Sequence, residues 1–144
     1  MTWALTGVPP DSLDRVWPIA EELLRPAVAR SGGRATCTTI EAGIREQRYQ
    51  LWVAHQEDVL IRAAFVTRVA EYPARRMLVV DFAAGSAMGE WVDLVQRAFR
   101  EYALAAGLSG VELHGRVGWA RVLERLGWRQ EFVVLGVGVP GEEV

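Results

Sequence analysis

Three titratable side chains near the ends of two predicted strands are the residues best suited to proton transfer. Asp81 lies near the end of the apolar strand Met77–Phe82, Glu112 lies on the short strand Val111–Leu113, and His114 follows that strand directly. A carboxylate or an imidazole acts as a general base when it can reach the proton it removes. Asp81, Glu112 and His114 are therefore candidate catalytic residues. A structural interpretation stands beside this one, with Asp81 as a hydrogen-bonded carboxylate at a strand end and His114 as a turn residue.

The segment after the first of these strands is rich in small residues. Residues 83–89 read Ala-Ala-Gly-Ser-Ala-Met-Gly, and such small side chains let backbone N–H groups approach an anion closely. Metal binding is not predicted, because His55, His114 and Cys37 follow no recognised spacing of metal ligands.

Length and composition favour a single folded domain over residues 1–144. The chain has 144 residues, of which 51% are hydrophobic and 24% charged, and this balance excludes disorder by composition. A formal net charge of −2 argues against a general polyanion binder, so nucleic acid is not indicated as a partner. No apolar run is long enough to cross a bilayer, so no membrane association is predicted. One cysteine and an N-terminus without a secretion signal predict a cytoplasmic protein.

The first part of the chain predicts two helices. Apolar residues recur at helical spacing over residues 10–27, and Pro18 and Pro26 within that stretch predict a kinked or two-piece helix. Thr38 and Glu41 are three residues apart, as in a capping box, and predict the start of a short second helix.

The rest of the chain predicts an alternation of strands and helices. A strand–helix–strand crossover favours a parallel pair between Met77–Phe82 and Val111–Leu113, and hence an α/β domain. The other predicted elements, in order, are the strand Tyr49–His55, the loop Gln56–Asp58, the strand Val59–Val69, the helix Glu90–Ala106, the helix Trp119–Leu126 and the strand Phe132–Leu135.

A short motif near the end of the chain carries a family resemblance. Residues 122–128 read VLERLGW, which predicts a helix that ends at a left-handed Gly127, with Trp128 beginning the last strand. This resembles the closing signature of the GNAT acyltransferases, which usually reads L-Y-E-(K/R)-L-G-F. The order and lengths of the predicted elements are similar to that family over roughly residues 14–137. The short form is also similar to GNAT-like proteins of phages and prophages.

The resemblance implies a fold and a reaction. The fold is a GNAT-like mixed β-sheet with a central splayed parallel strand pair, flanked by about four helices. The reaction is transfer of an acyl group, such as acetyl, from acyl-CoA to an amine by direct attack, with Asp81, His114 or Glu112 as the base. The acceptor is a small-molecule amine, a protein amine or a modified nucleobase. Acyl-CoA would lie against the backbone of Phe82, Ala83, Ala84, Gly85, Ser86, Ala87, Met88 and Gly89.

The loop before the long helix departs from the family motif (R/Q)-x-x-G-x-(G/A). An ungapped alignment places Ala87 at the Arg/Gln position, Glu90 at the first glycine and Val92 at the last position. Shifting the motif to end on Gly89 places Ala84 at the Arg/Gln position instead. The acidic side chain of Glu90 would then lie near the site of the CoA diphosphate, and weak binding is expected.

The closing signature has a second departure. Leu123 occupies the position where many family members carry a tyrosine that protonates the leaving thiolate. A leucine cannot donate that proton. The alternative function is therefore a GNAT-fold protein without turnover that keeps the scaffold for binding or assembly.

Overall fold

The computed structural model describes residues 2–57 and 60–142. The predicted loop residue Asp58 and strand residue Val59 lie outside these described residues. The strands and helices, in chain order, are β1 (Trp3–Gly7), α1 (Leu13–Ala29), α2 (Cys37–Arg45), β2 (Gln50–Gln56), β3 (Leu60–Glu71), β4 (Arg76–Gly85), α3 (Met88–Ala105), β5 (Gly110–Leu113) and α4 (Val117–Glu124), with a short 3₁₀ turn at Pro10–Ser12 before α1.

The strands form one mixed sheet in the order β1-β2-β3-β4-β5. The pairs β1/β2, β2/β3 and β3/β4 are antiparallel, whereas β4 and β5 are parallel. The predicted parallel pair is thus confirmed, and α3 is the crossover that a parallel connection requires.

Helices cover both faces of this sheet. On one face, α1 and α2 bury residues such as Trp17, Leu24 and Ile40 against Val66 of β3. On the other, α3 presents an apolar stripe with four-residue spacing, Trp91, Val95, Phe99 and Ala103, which packs with Phe65, Leu78 and Val80. Two apolar clusters therefore enclose the central strands, which explains their nearly continuous hydrophobic character.

The N-terminal strand β1 was not predicted from the sequence. It pairs with β2 in the register Trp3↔Gln56 to Gly7↔Trp52. Five residues without clear alternation are a weak strand signal, and pairing with the edge of β2 stabilises them as a strand. The sequence prediction, which began at the first helix, is wrong at this end of the chain.

The first helix is continuous and not divided at its prolines. Pro18 and Pro26 both lie inside α1 and both are exposed. The buried face of the same helix carries Leu13, Trp17, Ala20, Leu24 and Val28, which belong to the core cluster shared with β3. Packing along this face stabilises one helix despite the backbone hydrogen bonds that two prolines remove.

The N-cap of the second helix lies two residues before the predicted one. Thr36 is its N-cap: the Thr36 Oγ1 accepts from the Thr39 N–H at 3.1 Å, and the Thr39 Oγ1 accepts from the Thr36 N–H at 2.9 Å. Glu41 instead forms an ion pair with Arg45 at 2.9 Å. The predicted box of Thr38 and Glu41 is wrong because an equivalent three-residue spacing starts at Thr36.

The last helix ends at Glu124, two residues before the predicted end, and the left-handed Gly127 after it is confirmed, but the predicted strand is absent from the described residues. Gly127 has φ 93° and adopts the left-handed conformation, and the Trp128 N–H donates to the Leu123 carbonyl at 3.1 Å. Residues 129–139, which we call the C-terminal arm, have no helix or strand in the structure. The prediction that Trp128 begins a strand completing the sheet is therefore wrong, since an apolar run becomes a strand only where it finds an edge to pair with.

Among residues 2–57 and 60–142, we find no helix with the length and hydropathy that crossing a membrane requires.

Candidate active site

The candidate site lies where β4 and β5 separate. Their last parallel pair is Val80↔Leu113, after which the His114 N–H still donates to the Val80 carbonyl at 3.0 Å. On its other side, β4 shifts register against β3 between the pairs Val66↔Phe82 and Thr67↔Val80. Asp81 is thus the extra residue of a β-bulge. Such bulges bend a strand and redirect a side chain, here at the point where two strands diverge.

Asp81 forms the central ion pair of the site. Its Oδ2 accepts a hydrogen bond of 2.6 Å from the Arg68 Nε on β3, and the Arg68 Nη2 lies 3.4 Å from its Oδ1. The hydrogen bond to Asp81 raises the pKa of the Arg68 guanidinium above its usual value. The Asp81 side chain is only 16% exposed, and breaking such a pair leaves an uncompensated charge. Asp81 is thereby held in one position.

His114 lies next to this ion pair. Its Nδ1 is 3.4 Å from the Asp81 Oδ1, and its ring is more exposed than the carboxylate. The two residues were predicted from separate strands, and the structure brings them together. A carboxylate beside one ring nitrogen favours a proton on that nitrogen and leaves the other able to accept one.

Glu112 belongs to the same polar region but has a different neighbour. A hydrogen bond to Glu112 raises the pKa of the Tyr72 hydroxyl above its ordinary value. The Glu112 Oε1 is buried and has no hydrogen-bond partner among the described residues. A buried unpaired carboxylate oxygen is costly.

Arg68 and Tyr72 were missed by the sequence analysis. Arg68 lies on β3, and Tyr72 follows directly after the end of that strand at Glu71. Arg68 is the only charged residue in the mostly apolar run of residues 63–70, and this is the signal that identifies it. We call Arg68, Tyr72, Asp81, Glu112 and His114 the polar cluster.

The predicted anion-binding segment is divided between strand and loop. The Ser86 N–H donates to the Arg62 carbonyl, so in the antiparallel register Phe82 and Ala84 also direct their backbone groups to β3. Their side chains pack into the core with α1. The backbones of Ala83 and Gly85 point the other way, toward the space left by β5. The expectation that every residue from 82 to 89 offers its backbone is therefore wrong for Phe82, Ala84 and Ser86.

The start of α3 supplies the remaining backbone donors. Ala87, the N-cap, has a left-handed φ of 61°, and the helix then begins with Met88 and Gly89. The early N–H groups of a helix have no intrahelical partner and favour an anion. Glu90 lies in this first turn and is exposed. Its carboxylate stabilises the helix but repels a second anion at the same place, so this turn combines free backbone donors with an opposing charge.

Leu123 and Tyr102 both have structural roles. Leu123 on α4 is buried in the core. Tyr102 on α3 packs edge-on against Trp52, and its hydroxyl accepts a hydrogen bond of 3.1 Å from the Gln50 side chain. Neither takes the place of the family's tyrosine.

A wide cavity connects the polar cluster with the C-terminal arm. Its volume is about 1590 Å³, and its walls include Asp81, His114, the length of β5 and residues 126–134. This volume exceeds the roughly 300–1,000 Å³ of most small-molecule pockets. Within the described ranges, no group of three His, Cys, Asp or Glu side chains is placed to hold a metal ion.

Comparison with solved structures identifies the architecture. A probable acetyltransferase has a TM-score of 0.69 and 12% identity, over 100% of both chains. The glucosamine-6-phosphate N-acetyltransferase of Arabidopsis thaliana has a TM-score of 0.66 and 15% identity, over 96% of this chain and 99% of that one. The chain therefore has the GNAT fold.

A third GNAT structure is a "predicted acetyltransferase with acetyl-CoA" from Clostridium acetobutylicum. It has a TM-score of 0.69 and 9% identity, over 99% of this chain and 100% of that chain. The sequence itself matches no protein-family model and no curated protein. At these identities the likeness extends to the backbone, and the chemistry has to be argued from the residues of the polar cluster.

Proposed function

We propose that this protein is an N-acyltransferase that transfers an acetyl group from acetyl-CoA to an amine. The observation that carries the proposal is the pairing of His114 with Asp81, at 3.4 Å, where β4 and β5 separate. A base held by a fixed carboxylate at the mouth of a cleft is suited to taking a proton from an attacking amine. The similar structures, named as acetyltransferases, support this class of reaction.

In this proposal the amine nitrogen attacks the thioester carbonyl, a C–N bond forms and the C–S bond breaks. His114 accepts the proton that the nitrogen loses, and that proton then passes to the leaving thiolate. Asp81 forms an ion pair with Arg68 and is not the proposed base. It orients the His114 ring and stabilises the imidazolium. Glu112 has a structural role in this proposal, because its Oε1 is buried and its carboxylate interacts with Tyr72.

For acetyl-CoA itself, the proposed contacts are the cleft-facing backbones of Ala83 and Gly85 and the N–H groups at the start of α3. These groups suit a thioester arm and a diphosphate. Glu90 opposes the diphosphate, so the affinity is expected to be low. The acceptor is proposed to be a small-molecule or protein amine, in keeping with glucosamine-6-phosphate in the name of one structural neighbour.

The catalytic test compares the two histidines of the chain. With acetyl-CoA and a panel of amines, His114→Ala and Asp81→Asn should each lower kcat by about 10²–10⁴-fold, as expected for loss of a general base. His55→Ala is the matched control, because His55 lies on β2 and contacts Thr6 instead of the cluster. Equal rates for His114→Ala and the wild type would contradict the assignment.

The binding test uses calorimetry with acetyl-CoA. Glu90→Gln should tighten binding, because it removes a carboxylate beside the diphosphate while keeping the side chain's size; the effect at a helix terminus is about 0.3–1 kcal/mol. Glu101→Gln, at the other end of α3, is the control and should leave the affinity unchanged. Absence of binding by the wild type and Glu90→Gln at millimolar ligand would exclude the transferase.

A second candidate, a GNAT-fold protein without turnover, is favoured by one observation. The position of the family's acid is filled by Leu123, which is buried in the core. Binding of acetyl-CoA with no acetylation of any amine would support this role in binding or assembly. The resemblance to phage and prophage proteins stays a prediction.

A further inference from the structure

The C-terminal arm exposes a concentration of apolar side chains. Phe132, Val133, Val134, Leu135 and Val137 are between 61% and 91% exposed. From residue 129 to residue 138, the arm makes no backbone–backbone hydrogen bond with any described part of the chain. A contiguous apolar segment with strand-forming residues and unpaired backbone groups is an edge that pairs readily with another strand.

The outer edge of β5 also has backbone groups without hydrogen-bond partners in the described structure. The His114 N–H donates to Val80 of β4. In a parallel ladder the direction alternates, so Gly110 and Glu112 also face β4, while Val111 and Leu113 direct their N–H and C=O groups outward. Beyond the ladder with β4, neither residue makes a backbone–backbone hydrogen bond within the described chain. The sheet of five strands therefore ends at an open edge.

The arm and this edge face one cavity. Both residues 109–113 and residues 128–134 line the same open space, yet no backbone hydrogen bond joins them. The chain leaves α4 through the left-handed Gly127, with the Trp128 N–H tied to the end of the helix. The direction of the arm is thus set before its apolar run begins. In this structure the arm does not pair with β5 of the same chain.

We propose that the occupant of the β5 edge is the C-terminal arm of a second copy of this chain, and that the exchange is reciprocal. One chain carries both the unpaired strand and the unpaired edge, so a two-fold dimer satisfies both in each copy at once. The lengths agree: β5 has 4 residues, and the run Phe132–Leu135 can pair along all of it. A partner protein of different sequence that covered the β5 edge would still leave the arm of this chain exposed.

The exchanged arm also borders the polar cluster. Val111 and Leu113, whose backbones accept the arm, flank Glu112, and His114 follows them directly. The partner's arm therefore closes the outer side of the cleft next to two residues of the cluster. The proposed dimer does not depend on the proposed acyl transfer, and the molar mass of the assembly is measured without substrate.

The test measures molar mass by light scattering after size exclusion. The chain has a mass of 16.0 kDa, and the expected result is a species of twice that mass. Val133→Pro/Val134→Pro should convert it to the monomer, since one of two adjacent residues must face β5 and proline cannot donate. Val133→Ile/Val134→Ile is the matched control: it keeps the N–H groups and β-branched shape, and should remain dimeric.

Hydrogen exchange then identifies the interface. In the wild type, the N–H groups of the arm and of Val111 and Leu113 should be protected, and dilution or the double proline variant should remove that protection. A native helix signal in circular dichroism and a cooperative melt, even at a lower Tm, would show that the variant is folded, because the arm contributes nothing to the buried clusters of its own chain. A monomeric wild type, a proline variant that stays dimeric, or protection that does not depend on concentration would each overturn the proposal.

Discussion

Gly85 is the position where a single methyl group should most damage the region around the site. It is the last residue of β4 and has φ 157°, in a region that glycine favours. A Cβ built there overlaps the backbone carbonyl oxygen of Arg62 and lies 2.5 Å from the Cα and Cβ of Ala63. These obstacles belong to the backbone of β3 and its Ala63 side chain, so rotation of a flexible side chain cannot relieve them. Gly85→Ala must therefore move β4 away from β3.

The magnitude follows from two costs. A backbone conformation reserved for glycine costs about 1–3 kcal/mol for another residue, and inserting a methyl group into a packed contact costs about 1–3 kcal/mol more. We expect Gly85→Ala to lower the free energy of unfolding by about 2–6 kcal/mol. Near this chain length 1 kcal/mol corresponds to roughly 3 °C, so Tm should fall by about 6 °C or more.

The assay is urea denaturation with thermal melting, and Gly89→Ala is the matched control. Gly89 lies four residues away in the first turn of α3, and a Cβ there meets nothing within 4 Å. Alanine is the better helix former, so Gly89→Ala should not lower the free energy of unfolding and should raise it by up to about 1 kcal/mol. Surface substitutions usually change the free energy of unfolding by no more than about 0.5 kcal/mol. If Gly85→Ala differs from the wild type by no more than this, the packing of β4 against β3 is not as described.

Two further predictions concern the second helix and the polar cluster. Thr36→Ala should destabilise the protein by about 1 kcal/mol in urea denaturation, whereas Thr38→Ala should have little effect, because only Thr36 caps α2; equal losses would contradict the assigned cap. Glu112→Gln should lower the pKa of Tyr72 in a spectroscopic titration, because it removes the carboxylate that favours the protonated phenol. Tyrosine has a usual pKa of about 10, and folding raises the pKa of Tyr72. The Tyr72 contribution to stability should therefore be present below about pH 10 and decline as the pH rises through the raised pKa. An unchanged titration in Glu112→Gln would exclude the contact.

Local pattern was sufficient where one helix or strand contains its own determinants. The apolar stripe of α3 predicted that helix to within two residues at its start and one at its end. The glycine after a helical run predicted the left-handed turn at Gly127. The parallel pair of β4 and β5 followed from the crossover helix between them, because parallel strands need a long crossover connection and a helix supplies one. These features depend on spacing and on backbone sterics, which are readable in a sequence.

Pairing between distant segments was decided only by the tertiary structure. β1 is a strand because it pairs with the edge of β2. The C-terminal arm, with stronger strand chemistry, is not one because its backbone pairs with no edge of the described sheet, including that of β5. The sequence contains Arg68, Asp81 and His114 without indicating that they meet. A bulge in β4 and the divergence of β5 bring them together. Residue types thus determined which groups were available for proton transfer, and long-range register, which no local pattern encodes, decided which of them are in contact.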